Sequence, residues 1–188
     1  SGSWSQLASD INGEAANDYS GRSVSLSSDG RTVAIGATGN DGNGSNSGHI
    51  RIFQLDSTSP TISSFSPADN ATAVATTSNI VLNFSEAVDV ETGNIVIYKS
   101  SDDSVVETID VTSSQVTGTG STQITINPSS DLAESTSYYV QIAATAFDDT
   151  SSNSYAGISD KTTLSFTTAD ETAPSPPSSL TTTSTTTN

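Results

Sequence analysis

The chain lacks cysteine and methionine, and it has very few basic residues. Lys and Arg together number 5 among 188 residues, against 21 Asp and Glu, so the formal net charge is −16. The absence of cysteine excludes disulfides, zinc–thiolate sites and iron–sulfur clusters. The shortage of positive charge argues against nucleic acid or an anionic lipid surface as a partner.

Long apolar runs are missing as well. Hydrophobic residues make up 32% of the chain, and no segment approaches the roughly 18 consecutive apolar residues of a membrane span. We therefore predict no membrane span. The chain does not begin with Met and is rich in Ser, Thr, Asp and Asn. From this we expect a piece processed or excised from a longer secreted or cell-surface protein of bacterial type.

Apolar and polar residues alternate in short segments along nearly the whole chain, which indicates β-strands and no long helix. In residues 1–55 we predict four strands in one small antiparallel sheet. Asp29-Gly30 between two of them indicates a β-hairpin with a type I′ turn. The four predicted strands are Trp4–Leu7, Ser23–Ser27, Thr32–Ala37 and His49–Gln54.

Residues 56–60 are interpreted as a linker, and residues 61–170 as a second unit. Seven or eight short strands in about a hundred residues, separated by turn signals, are typical of a β-sandwich. Residues 171–188 are rich in Pro, Ser and Thr, which predicts an extended linker or tail. The strands expected in the second unit are Thr61–Ser66, Asn79–Phe84, Asn94–Lys99, Val105–Val111, Gln123–Asn127, Ser137–Ala143 and Thr163–Thr168, with a weaker one at Ser114–Thr117.

The first unit resembles a blade of an FG-GAP or integrin-type β-propeller. The resemblance lies in the aromatic–Gly start at Tyr19 and Gly21, the strands SVSL and VAIGA, and the closing strand Gly48–Phe53. The calcium loop of integrin blades is reduced here to Ser27–Gly30, so the resemblance does not carry a calcium site to this position. Propeller blades stack on neighbouring blades and cannot bury their faces alone. We therefore expect this sheet to belong to a larger propeller, to pack on the second unit, or to pair with another chain.

The second unit resembles a bacterial Ig-like domain of the kind repeated in large surface proteins. The resemblance covers about 110 residues and rests on segments that follow one another in the expected order. It implies an Ig-like β-sandwich that acts as a structural spacer or an adhesive module. The segments are PTISSFSP at Pro60–Pro67, IVLNFSEAV at Ile80–Val88, NIVIY at Asn94–Tyr98, ITINP at Ile124–Pro128, LAESTSYYVQI at Leu132–Ile142, FDDTSSNSYAG at Phe147–Gly157, and Phe166–Thr168.

The same Asp-x-x-x-Pro pattern stands on both sides of this unit. Asp56 and Pro60 precede it, and Asp170 and Pro174 follow it. Such a repeated junction is expected where modules are joined in series, because a proline stiffens the connection and cannot join a central strand. Partners are then other modules of the same protein or neighbouring copies.

Acidic residues cluster on the predicted turns, and calcium is the cofactor that this chemistry favours. Hard cations bind oxygen ligands from carboxylates, Asn side chains and carbonyls. The alternative is that these residues simply solvate loops. The candidate ligands are Glu86, Asp89 and Glu91 on the turn after IVLNF, Asp148, Asp149 and Asn153 on the loop 147–157, and Asp170 at the junction, where Asp56 and Asp170 are placed to hold an ion between modules.

Catalysis has little support in the sequence. His49 is the one imidazole, and it lies in a predicted edge strand. No Ser stands in a G-x-S-x-G elbow. Carbohydrate binding would need exposed aromatic rings, and we expect Tyr139 and Tyr155 to be the more exposed of the tyrosines because Tyr138 and Tyr139 point to opposite faces.

The sequence thus predicts an all-β protein, an Ig-like sandwich preceded by a small four-stranded blade-like sheet. The expected function is that of a non-enzymatic structural or adhesive module, stiffened by calcium. One alternative is a self-assembling extracellular subunit whose blade pairs with a neighbouring chain. Another is a carbohydrate-binding accessory module of a secreted enzyme, with surface glycans as the partner.

Overall fold

The computed structural model describes residues 10–173. In that range all the regular secondary structure is β-strand, joined by turns and loops. The described residues contain no helix that is long and apolar enough to cross a membrane. The strands are β1 Ser20–Leu26, β2 Thr32–Ala37, β3 His49–Gln54, β4 Ile62–Ser66, β5 Ala71–Val74, β6 Ile80–Val90, β7 Asn94–Lys99, β8 Val105–Asp110, β9 Val116–Thr117, β10 Ser121–Ile126, β11 Ser137–Ile142, β12 Phe147–Asp149 and β13 Ser165–Thr168.

These strands form three sheets, and the all-β class with an Ig-like sandwich and an N-terminal sheet is confirmed. The first sheet has the order β1-β2-β3 and is referred to below as the blade. The second has the order β12-β6-β10-β9, with β4 also paired to β6. The third has the order β5-β13-β11-β7-β8. The second and third sheets make up the sandwich.

One hydrophobic core joins the two sheets of the sandwich. Ile80 and Leu82 of β6 are fully buried, and so are Ile95 and Ile97 of β7 in the facing sheet. Because successive side chains of a strand point to opposite faces, alternate residues supply this core. Full burial of one such side chain contributes about 1.5–3 kcal/mol, so the core holds the sandwich together.

Strand β6 is the longest strand and has two different neighbours along one edge. Its first half pairs with β4, through Phe84 opposite Ile62. Its last three residues pair with β12, through Val88 opposite Asp149. Its other edge pairs with β10 over both halves. The partner on the first edge therefore changes between Ser85 and Ala87.

The blade has two faces that its cross-strand pairs define. Directly opposite residues share a face, so Leu26, Val33 and Phe53 lie on one face. Ile50 and Ile52 lie on the other face, opposite Gly36 and Ala34. Both faces are therefore apolar.

The hairpin between β1 and β2 forms as expected, but its turn differs from the type I′ prediction. The amide of Gly30 donates to the carbonyl of Ser27 at 3.0 Å, and Gly30 alone among residues 28–31 has positive φ, at 73°. The Asp29 carboxylate accepts a hydrogen bond from the amide of Arg31 at 3.1 Å. This side-chain bond stabilises a longer loop in which only glycine adopts the left-handed conformation.

Other elements differ from the sequence prediction in extent. Strand β6 continues to Val90, so Glu86 and Asp89 lie within a strand, and the prediction of a turn there is wrong. Asp148 and Asp149 lie in β12, and so they are not loop residues as predicted. Strand β5 was not predicted. The predicted strand Trp4–Leu7 and residues 174–188 of the predicted tail lie outside the described residues.

Candidate cation site at the linker

The change of partner along β6 creates a gap at the end of the sandwich that receives the linker. The pairing of β6 with β4 stops here. Its last hydrogen bond runs from the amide of Ser85 to the carbonyl of Thr61, just before β4, at 2.8 Å. On the far side of the gap, β12 ends at Asp149. Glu86 lies between these two neighbours, and the linker residue Asp56 approaches from outside.

Three carboxylates meet at this gap. One carboxylate oxygen from each of Asp56, Glu86 and Asp149 lies within 4.8 Å of the other two. The three residues come from the linker, from β6 and from the end of β12, so only the folded chain brings them together. We refer to them as the linker cluster.

Asp149 is the most buried member, with 5% of its surface exposed. Its Oδ1 accepts hydrogen bonds from the amides of Ser151 and Asn153, each at 2.8 Å, and its Oδ2 accepts one from Asn153 Nδ2 at 2.8 Å. Asn153 Nδ2 also donates to the backbone carbonyl of Asp56 at 3.3 Å. The loop after β12 thereby ties the linker to the sandwich.

An aromatic group lies at the same end of the core. The rings of Phe84 and Phe147 meet edge to face with centroids 5.4 Å apart, and Tyr155 meets Phe84 at 5.3 Å. Phe84 lies two residues before Glu86 on β6, and Phe147 lies two residues before Asp149 on β12. Since residues two apart share a face of a strand, these rings extend the dry core up to the cluster.

The electrostatics of the cluster are unfavourable without a cation. Partial burial raises the pKa of the Glu86 carboxyl, and the negative charges of Asp56 and Asp149 raise it further. Burial also acts to raise the pKa of Asp149, but the hydrogen bonds from Asn153 and Ser151 outweigh it and lower that pKa. The ion pairs within residues 10–173 join Glu14 to His49 and Arg51, and Asp103 to Lys161. None of them neutralises the cluster.

The chemistry of the cluster suits a hard divalent cation. Calcium takes roughly 6–8 oxygen ligands at about 2.3–2.6 Å, which allows two ligands to lie up to about 5 Å apart. The spacing of the three carboxylates falls within this limit, and each carboxylate can supply one or two oxygens.

The structure gathers only part of the set that the sequence suggested. Glu86 and Asp149 join the cluster, and Asn153 bonds to one of its members. Asp56 was suggested only as a linker ligand paired with Asp170, and its meeting with β6 and β12 was not foreseen. Since the three acids are 30 and 63 residues apart in sequence, no local spacing rule could have found them.

The remaining candidate ligands lie elsewhere. Asp89 and Asp148 are opposite each other in the β6–β12 pair, on the face turned away from the core, and Asp89 also accepts a hydrogen bond from Thr119 Oγ1 at 3.3 Å. Glu91 follows the end of β6 and is exposed. Asp170 is exposed beyond the end of β13, where its carboxylate accepts from the amide of Thr172 at 3.0 Å.

The expectation that Tyr139 and Tyr155 are exposed is wrong. Tyr139 points away from the core, but it is only 3% exposed, because its ring stacks on Tyr98 at 4.8 Å and its hydroxyl donates to Asp103. Lys161 lies over the same ring, 5.6 Å from its centroid. Tyr155 is 8% exposed, and burial raises its pKa to about 12. Neither ring offers the flat open surface on which a sugar would stack.

Comparison with known families agrees with both units. The family model described as bacterial Ig-like domain matches residues 56–168, and the model described as FG-GAP repeat matches residues 7–53. The linker cluster lies within the residues matched by the Ig-like model. No curated protein matches the chain.

One similar solved structure is the crystal structure of the S-layer protein rSbsC. Its sequence is 16% identical, and the TM-score is 0.40. The similarity covers 60% of this chain and 14% of the S-layer chain, so this chain spans only a small part of that protein.

Glu86→Gln is expected to raise the melting temperature of the cation-free protein by a few degrees at neutral pH. The pKa of Glu86 is higher in the folded than in the unfolded state, so its contribution to stability is present below the ordinary Glu pKa. That contribution is lost as the pH rises through the raised folded-state pKa. Wild type and variant should therefore melt alike in acid and diverge as the pH rises.

Thermal melts in chelator over a pH series measure this difference. Glu91→Gln is the matched control, since it removes one negative charge just beyond β6 and outside the cluster. Equal melting temperatures of wild type and Glu86→Gln at every pH would contradict the repulsion inferred at Glu86.

Proposed function

Because this chain belongs to the bacterial Ig-like domain family, we propose that it is a non-enzymatic structural or adhesive module of a secreted or cell-surface modular protein. The observation that carries the proposal is the position of the two connections of the sandwich. The chain enters the sandwich at one end and leaves it at the other, as a unit joined in series must.

The two ends can be located along β6. The incoming chain is bonded to the middle of this strand, where the amide of Thr61 donates to Ser85 Oγ at 3.0 Å. The outgoing chain is bonded just before its start, where Thr76 donates from its amide and its hydroxyl to the Glu171 carboxylate at 3.2 and 2.9 Å. A strand rises about 3.3 Å per residue. The five residues from Ile80, the first residue of β6, to Ser85 therefore separate the two connections by roughly 17 Å along the strand.

The matched families and the charge support the same proposal. The FG-GAP and Ig-like families that match the two units are non-catalytic types. The net charge of −16 keeps an exposed surface solvated and repels similar chains. A secreted or cell-surface location is the setting that this composition and these families favour.

Force spectroscopy tests the role of a module joined in series. Since the chain has no native Cys, Ser57→Cys with Ala173→Cys gives unique handles on opposite ends of the sandwich. Pulling on them should shear the sheets and release the sandwich in one event, with a length gain of roughly 400 Å for about 115 residues.

The matched control for this experiment is Ser57→Cys with Ser152→Cys, which places both handles at the linker end. Pulling there peels strands one after another and should need less force. A rupture force no higher in the opposite-end geometry than in the same-end geometry would contradict the proposed role.

The finer proposal is that calcium binds the linker cluster and stiffens the junction between blade and sandwich. A cation held by Asp56, Glu86 and Asp149 would neutralise their repulsion and fix the linker to two strands at once. Its support is the convergence of three carboxylate oxygens within 4.8 Å beside a linker carbonyl already bonded to Asn153.

Calcium is expected to raise the melting temperature of the sandwich, because a ligand that binds only the native state stabilises it by mass action. The gain is about 2.7 kcal/mol at a hundredfold excess of free ligand over Kd. Asp56→Asn and Glu86→Gln should lose most of this gain, whereas Asp102→Asn, remote from the cluster, should keep it. Superimposable melting curves in millimolar calcium and in chelator would rule out the calcium proposal.

A second candidate function is self-assembly through the blade. Ile50 and Ile52 are 72% and 71% exposed on one face, and β1 and β3 are the two edges of the described sheet. Open edges and apolar faces favour association with another sheet. In this proposal the blade of one chain pairs with that of a neighbouring chain.

Sedimentation across a protein concentration series tests the second candidate. If the chain self-assembles, we expect oligomers that dissociate on dilution. The substitution Ile52→Asp should abolish these oligomers. Val105→Asp is the control, because Val105 is also exposed, at 56%, but lies on β8 of the sandwich. A monomer at every concentration would exclude assembly by this chain alone.

A further inference from the structure

Strand β1 is an edge of the blade that is exposed over its whole length. All seven of its residues are exposed, and in the described part of the chain it pairs with β2 alone. The amide of Ser27 donates to the carbonyl of Thr32 at 2.8 Å. Because hydrogen-bonded and non-hydrogen-bonded residues alternate along an antiparallel strand, Val24 and Leu26 turn their backbone N–H and C=O groups away from β2. A further strand can pair with these groups.

Strand β8 is the corresponding edge of the sandwich. It stands last in its sheet, beside β7. The amide of Val111 donates to the carbonyl of Gly93, just before β7, at 3.1 Å. By the same alternation, Ile109 has its backbone groups towards β7 and Thr108 has them on the outer side. This edge can therefore also accept a further strand.

Both edges carry exposed apolar side chains. On β1 these are Val24 and Leu26. On β8 they are Val105 and Val106, which are the large apolar side chains of the sandwich that stay exposed within residues 10–173. An edge strand with exposed apolar side chains favours pairing with another strand. The exposed apolar surface of the sandwich is thus confined to the strand whose edge is open.

The charges of the two edges are opposite. The blade unit, residues 10–55, has three basic and five acidic residues, a net charge of −2, whereas residues 61–170 have two basic and 14 acidic ones, a net charge of −12. Arg22 is the single charged residue of β1 and joins none of the ion pairs of the described residues. Strand β8 carries Glu107 and Asp110. Pairing of β8 with a second β8 would bring like charges together, which is unfavourable.

We propose that the β1 edge of one chain pairs antiparallel with the β8 edge of a second copy of the chain. Such a pair can set Leu26 opposite Val106. Four residues along each strand, it then sets Arg22 opposite Asp110, which forms an ion pair across the contact. Because the two surfaces differ, each copy keeps one edge open, and further copies add head to tail.

This contact rests on the proposed role as a module that meets neighbouring copies, and it differs from blade-to-blade association. The latter needs the face that carries Ile50 and Ile52, whereas the contact between β1 and β8 is an addition of one strand to the edge of another sheet. Ile52→Asp should therefore leave the contact between β1 and β8 intact.

Proline variants block each edge separately. Val24→Pro and Thr108→Pro each remove an amide that points away from its own sheet, where proline is tolerated, so both variants should keep the wild-type melting temperature within a few degrees. Each alone should sediment as a monomer. An equimolar mixture should give a 1:1 dimer, because the intact β8 edge of the first variant meets the intact β1 edge of the second. Val24→Thr and Thr108→Val are the matched controls, which keep the amide and should assemble like the wild type.

Charge reversal tests the alignment of the two strands. Arg22→Glu and Asp110→Arg should each weaken assembly about tenfold, since each places like charges opposite one another. Combining both changes in one chain should restore it. Ser23→Glu with Asp131→Arg is the control for net charge, because it makes the same two changes of sign away from the proposed ion pair.

Three results would overturn the proposal. The first is a wild-type chain that stays monomeric at every concentration. The second is association of either proline variant by itself, which would assign the contact to another surface. The third is a mixture of the two proline variants that remains monomeric. The pulling experiment on single chains tests the module role independently, so a failure of this contact is distinguished from a failure of that role.

Discussion

The edge of β6 is shared by two strands, and the candidate cation site depends on that sharing. A single partner strand as long as β6, which has 11 residues, would cover the edge from end to end. Here β4 occupies the first half and β12 the last three residues, and neither reaches the stretch around Glu86. The Glu86 carboxylate there lies near the carboxylates of the linker residue Asp56 and of Asp149 at the end of β12. A core-facing position of β6 is thereby opened to solvent at one point, which is why a carboxylate is tolerated there.

The two units differ in how far their apolar side chains are buried. In the sandwich, two sheets cover each other, and Ile97 and Ile124 are fully buried in the common core. Within residues 10–173 no second sheet pairs face to face with the blade, and large apolar side chains are exposed on each of its faces. A three-stranded sheet of this kind is not expected to be stable alone in water without cover for at least one face. Its apolar faces therefore point to contacts beyond the sheet itself.

Alternation in the sequence was sufficient to predict most of the strands. The bounds of β2, β3 and β7 match the prediction, because each has a clear period of two between strong turn residues. Strand β5 was missed since ATAV has neither bulky residues nor a clear boundary. Strand β12 was missed because two of its three residues are Asp, which strands disfavour, and only its pairing with β6 makes it a strand.

The candidate site was less accessible to prediction than the fold. Alternation correctly placed Tyr139 on the outer face, but it says nothing of what covers that face. Its burial depends on Asp103 and Lys161, which approach from distant loops. In the same way, the linker cluster requires the register of two separate strand pairs. Predicting it would need the three-dimensional arrangement and not the pattern of any one segment.

The position of the cluster has a consequence for how the two units move relative to each other. Asp56 belongs to the linker, while Glu86 and Asp149 belong to strands that meet side by side. Without a cation, repulsion pushes the linker carboxylate away from the sandwich, and the bond from Asn153 to the Asp56 carbonyl opposes that push. With a cation bound, its attraction for the three carboxylates and the hydrogen bond from Asn153 would both hold the linker to the sandwich. Under the calcium proposal, the ion would therefore stiffen the junction far more than it would change the core, and wild type and Glu86→Gln would differ most in the motion of the blade.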